Sequence, residues 1–124
     1  MMHIPIDLSV HHLGDDVVAG WPPAKAGPLK LAFHLPFVHG PATLHIDVMG
    51  TQAEHNEVFV NGERIGHLRK NPSNEEFAQT DLKIPAECLR QGSNRLVVMG
   101  GIIDDQPGEP DDFLVSNIHL HAAN

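Results

Sequence analysis

Val58–Leu68, VFVNGERIGHL, and Asp81–Val98, DLKIPAECLRQGSNRLVV, decide the fold of this chain. In the first stretch, Asn61-Gly62 separates two short runs of alternating apolar residues. Asn and Gly both tolerate positive φ, so this pair predicts a two-residue hairpin turn. In the second stretch a strand ending at Ile84 leads into a short helical turn near Ala86–Arg90. Gly92 closes that turn and a further strand follows.

Outward from this centre, apolar residues recur with period two, which is the pattern of strands with one buried face. Ile4, Ile6, Leu8 and Val10 form one such face, and Leu29, Leu31, Phe33, Leu35 and Phe37 another. Leu44, Ile46 and Val48 follow, then Val58, Val60 and Ile65. Phe77 to Ile84 points Leu82 and Ile84 inward, with Phe77 expected in the core. Leu96 and Val98 mark a seventh strand. Asp112 to His121 forms the eighth, with Leu114, Ile118 and Leu120 buried and Phe113 a further core candidate. The expectation is an all-β chain, an eight-stranded antiparallel β-sandwich with one short helical turn, in a single domain over residues 1–124. Leu29–Phe37 and Pro41–Met49 either form a hairpin on His39-Gly40 or lie in opposite sheets facing each other across the core.

The motifs V-F-V-N-G-E-R-I-G, I-P and L-R-Q-G-S-N-R-L-V-V resemble, in that order, the galactose-binding-like jelly roll. They are most similar to the accessory sandwich domain of the β-galactosidase and β-glucuronidase family. The resemblance covers Phe33 to Leu120 and implies jelly-roll topology, with consecutive strands in opposite sheets. It also implies a non-catalytic, carbohydrate-binding role, because the catalytic carboxylates of that family lie in a separate barrel domain. The motif residues themselves serve architecture, and function sits in sites grafted onto the fold.

Composition excludes several partners. Eight basic against sixteen acidic residues give a net charge of −8. Nucleic acid and anionic membrane both require clustered Lys or Arg, and only Arg69-Lys70 are adjacent. Cys88 is the single cysteine, so no intrachain disulfide forms, and its place in AECLRQG reads as a small buried hydrophobe. MMHIPIDLSVHH has no basic segment followed by a long apolar run, so no signal peptide is expected and the expected compartment is the cytoplasm. No apolar stretch approaches the ~20 residues of a membrane span.

Three long loops, Asp15–Pro28, Gly50–Asn56 and Gly100–Asp111, are where binding residues belong on a rigid sandwich. By the resemblance, a glycan site combines an exposed aromatic with polar side chains. The candidates are Trp21, Asn56, Arg64, Asp111 and Asp112. Trp21, in GWPPAKAGP, either stacks on a ligand or packs over the end of the sandwich as a lid. With five phenylalanines, one tryptophan and no tyrosine, the chain is poor in aromatics for a carbohydrate-binding module. A structural or protein-interaction subunit of a homo-oligomer or larger assembly is therefore the alternative reading.

Two metal readings accompany these. The resemblance implies a structural calcium, which needs six to eight oxygens. Asp104, Asp105, Glu109, Asp111 and Asp112 offer carboxylates in one loop and Asp15 with Asp16 in another, without a D-x-D-x-D-G spacing; the other reading of this loop is a solvated acidic turn. His119-x-His121 places two imidazoles on one strand face, able to hold zinc if a neighbouring strand supplies a third ligand. His34, His45, Asp47 and His67 are expected on outward faces. No nucleophile elbow, phosphate loop or H-E-x-x-H occurs, so the chain is not read as an enzyme; a metal-dependent enzyme on His119 and His121 is the weakest alternative.

Overall fold

Antiparallel pairing organises nine strands into two sheets in the computed structural model, which describes residues 1–124. The strands are β1 (Met2–Asp7), β2 (His11–Leu13), β3 (Leu29–Leu35), β4 (Ala42–Met49), β5 (Glu57–Val60), β6 (Glu63–His67), β7 (Ala78–Ile84), β8 (Gly92–Met99) and β9 (Phe113–Ala122). One sheet runs β1-β9-β4-β7, with β2 also paired to β9; the other runs β3-β8-β5-β6. The helical turn is a single 3₁₀ turn, Ala86–Cys88. A cluster of 19 buried apolar residues fills the space between the sheets, with both sheets contributing. No helix is long and apolar enough to cross a membrane.

The hairpin forms as its chemistry requires. Asn61 has φ 50 and Gly62 φ 85, and Val60 pairs with Glu63 across the turn. Asn61 also reaches outside its own hairpin. Its Nδ2 donates to the Cys88 carbonyl (2.7 Å) and to Asn94 Oδ1 (2.9 Å), and its Oδ1 accepts from Arg95 N–H (2.9 Å). Buried Asn94 in turn donates to the Arg90 carbonyl (2.8 Å) and accepts from Arg90 N–H (2.9 Å). The two asparagines thus lock the hairpin to the turn that launches β8. Cys88 packs partly buried against the core.

β3 and β4 lie in different sheets, which settles the choice between a hairpin and a cross-core arrangement. Four local expectations change. The first strand is broken: β1 stops at Asp7, the chain bends, and β2 resumes along the same edge of β9. Leu8 and Val10 fall in the bend and are exposed, while His12 and Leu13 are buried instead. Phe77 lies just before β7 and is 41% exposed, so it is not core. On β7 itself Leu82 and Ile84 point inward as expected, Ile84 buried and Leu82 half-buried against the core, with Thr80 buried on the same face. Phe37 lies beyond the end of β3, half-buried and stacked on His39 at 4.4 Å.

The last change concerns β9. Asp47 pairs with Ser116 and His45 with His119, so Ile46 alone stands opposite Asn117 and Ile118. That extra residue is a β-bulge, and Asn117 takes it up with φ 51. A bulge reverses side-chain parity. Phe113 and Val115 therefore share the core with Ile118 and Leu120, while Leu114 is buried outside that cluster. The same reversal leaves His119 and His121 on the outer face.

Candidate functional site

The three long loops meet at one end of the sandwich, beside β2 and the start of β9. Buried His12 on β2 fastens the first loop: its Nδ1 donates to the Pro22 carbonyl (2.9 Å), and its Nε2 lies 2.8 Å from Asp112 Oδ1. Its carbonyl accepts from Lys25 N–H (3.0 Å). Trp21 packs edge-on against the His12 ring, with centroids 5.0 Å apart and planes at 88°. On its other side lies the bare backbone of Gly50, where a Cβ would stand 2.7 Å from Trp21 Cη2. The indole covers this end of the sandwich and at the same time walls a cleft.

That cleft has a volume of about 190 Å³ and is shared by Trp21, Asp16, Gln52, Asn74, Asp111 and Asp112. A larger hollow of about 580 Å³ lies between β2 and Pro22–Lys30, walled by three prolines and aliphatic residues together with His11, His12, Lys25 and Lys30, and without a tryptophan or phenylalanine. The smaller cleft is the better candidate because an aromatic edge and several hydrogen-bonding side chains converge on it.

Asp111 and Asn56 hold the floor. Asp111 is buried, and its Oδ2 accepts from the N–H groups of Gln52 (2.8 Å) and Ala53 (3.0 Å) and from Asn56 Nδ2 (2.9 Å). Asn56, fully buried, accepts at Oδ1 from Gly101 N–H (2.8 Å), and Gly101 accepts from Asp111 N–H (2.9 Å). Gly101 must lack a side chain, since a Cβ there would stand 2.5 Å from the His55 carbonyl oxygen. This closed circuit ties the second loop to the third.

The site is strongly acidic. Asp15, Asp16 and Asp112 each place a carboxylate oxygen within 4.8 Å of the others. The charge of Asp112 pushes the Asp16 carboxyl above its ordinary pKa. Asp111 Oδ1 and Asp112 Oδ2 are buried without a partner. Buried carboxylate oxygens normally carry hydrogen bonds or a cation. Asp15, Asp16 and Asp112 are the carboxylates that could offer oxygen ligands to a hard divalent cation.

Among solved structures, the fold is similar to the "Native structure of a family 35 carbohydrate binding module from Clostridium thermocellum". The TM-score is 0.60 at 11% identity, over 99% of this chain and 100% of that one. At that identity the likeness establishes a shared β-sandwich fold. No protein-family model matches the chain, and no curated protein does.

The remaining sequence candidates fall elsewhere. Arg64 lies on β6, opposite Phe59, paired through Nε to Glu57 Oε2 at 2.7 Å. Asp104 is engaged by Lys70 (2.8 Å), and hydrogen bonding from that ammonium holds its carboxyl below the ordinary range. Asp105 is exposed at a turn, with φ 62. His119 and His121 lie on the outer face of the five-stranded sheet, joined there by His3 of β1 and His45 of β4. Desolvation, then the neighbouring imidazoles, push His121 below its ordinary pKa. Sequence reasoning missed His12, Gln52 and Asn74 at the cleft and His3 on the sheet face. Only the adjacency of His11-His12 to a strand end hinted at the first.

Proposed function

We propose that this chain is a single-domain, non-catalytic carbohydrate-binding module that uses the loop end of its sandwich. The cleft walled by Trp21 carries the reading: one aromatic edge, with Asn74, Gln52 and the Asp16–Asp112 carboxylates around it, offers an apolar surface beside hydroxyl-bonding groups. The fold shared with a carbohydrate-binding module and the resemblance to the accessory domain of the β-galactosidase family both support it. In this reading Trp21, Asp111 and Asp112 line the ligand, and Asn56 acts through Asp111. Arg64, outside the cleft, contributes only to an extended ligand. Calcium held by Asp15, Asp16 and Asp112 would fix the first loop against β9.

A glycan array, followed by calorimetry on the best binders, tests this. The expected result is binding of a defined glycan set, lost in Trp21→Ala and retained in Arg64→Ala for short ligands. Absence of binding across the array, with the protein folded and calcium present, overturns the reading.

A further inference from the structure

We propose that His3, His119 and His121 form a transition-metal site on the outer face of the five-stranded sheet, taking zinc or a metal of similar ligand preference. It is independent of the loop-end cleft.

The sheet register builds the site. His3 on β1 pairs directly with His121 on β9, and His119, two residues earlier, shares that face. Directly opposed residues bring their side chains within about 5 Å of each other. One ring nitrogen from each of the three histidines lies within 4.8 Å of the other two. Tetrahedral zinc with Zn–N of about 2.0–2.1 Å needs nitrogens roughly 3.3 Å apart. Small ring rotations close that gap, and His3, exposed on the edge strand, is free to turn.

Proton placement makes the convergence chemically specific. A metal takes an imidazole nitrogen that carries a lone pair, and the hydrogen bond of the other nitrogen decides which one that is. His119 Nδ1 lies 2.8 Å from the Asn117 carbonyl, which only accepts, so Nδ1 carries the hydrogen and Nε2 the lone pair. His121 is oriented through a relay. Asp81 Oδ1 lies 2.6 Å from His45 Nδ1, and Gln79 Nε2 donates to the same carboxylate oxygen (2.6 Å). His45 therefore donates from Nδ1 to Asp81, which leaves its Nε2 to accept from His121 Nδ1, 2.9 Å away. That leaves His121 Nε2 as a bare donor atom for the metal. The carboxylate–imidazole–imidazole chain makes Asp81 and His45 positioning residues: His45 touches the ligand His121, and Asp81 acts through His45. Three imidazoles, two of them with their tautomers set by hydrogen bonds, and an open fourth position suit borderline metals and not calcium or magnesium.

The chain, made without a histidine tag, is dialysed against micromolar zinc and its metal content measured, with cobalt(II) absorption as a second readout of nitrogen coordination. The expected result is one zinc per chain. Binding disappears in His119→Ala and in His3→Ala and weakens about 10–100-fold in Asp81→Asn. It is unchanged in His34→Ala, a histidine exposed elsewhere. Circular dichroism confirms that each variant is folded; His3→Ala, on an exposed edge position, keeps the test valid if His119→Ala does not fold. Substoichiometric zinc in the parent chain overturns the site, as does binding that survives His3→Ala.

Discussion

The loop end and the outer face of the five-stranded sheet gather polar side chains by opposite means. At the loop end, Asn56, Asp111 and His12 are buried and bonded to backbone from other segments. Those bonds replace the ones that irregular loops cannot make to themselves. On the sheet face, the ladder already satisfies the backbone. His3, His45, His119 and His121 are brought together by register alone. Polar groups at the loop end therefore hold the fold, while those on the sheet face are expected to be dispensable to it. Mutations should separate the two.

The largest effect is expected for Asp111→Ala. It leaves the part-buried Gln52 N–H and the buried Ala53 N–H and Asn56 Nδ2 without an acceptor, at about 1–3 kcal/mol for each buried group before relaxation. The expected loss is roughly 3–5 kcal/mol by urea denaturation, against a typical total of 5–15 kcal/mol. Asp111→Asn keeps one acceptor oxygen and should recover part of it. A loss below about 1 kcal/mol for the alanine variant would break the comparison.

Calcium comes next. Binding at Asp15, Asp16 and Asp112 should raise the melting temperature, and a free concentration 100-fold above Kd corresponds to about 2.7 kcal/mol. Chelation should reverse it, and Asp112→Asn should abolish the response. An unchanged melting curve would remove the cation from the loop end.

The bend between β1 and β2 is an intermediate case, fastened locally but partly exposed. Ser9 and then His11 hydrogen-bond to Asp7, and the Ser9 hydroxyl is the main reason its carboxyl sits below the ordinary pKa. A lowered carboxyl contributes stability in full above about pH 4, and that stability is lost as pH falls through the depressed value. Asp7→Asn should cost less than about 1 kcal/mol at pH 7 and flatten this part of the acid limb. An acid limb identical to the parent's would discard the assignment.

The smallest effect is expected for His119→Ala, within about 0.5 kcal/mol in the absence of metal. A larger loss would mean that the sheet face, like the loop end, carries the fold.

How much was legible depended on the range of the interaction. The Asn61-Gly62 turn, the 3₁₀ turn after Pro85 and the alternating faces of β4, β5 and β8 were readable because each is set within a few residues. Phe77 was misplaced, and Val115 passed over as core, for a reason of the same kind: strand ends and bulges shift parity, and the bulge at Asn117 depends on the register of β4 against β9. At the site, Trp21 and Asp112 were recognisable as residue types in loops. Their meeting across Gly50 and His12 was not.

The sequence by itself determined an all-β sandwich, its motif-bearing turns and the acidity of its loops, because periodicity, turn chemistry and charge are local properties. Only the tertiary structure decided that Asn61 bonds to Asn94, that Asp111 closes a buried circuit with Asn56 and Gly101, and that His3 faces His121. Those contacts join segments distant along the chain, and they exist only once the sheets have chosen their strand order and register.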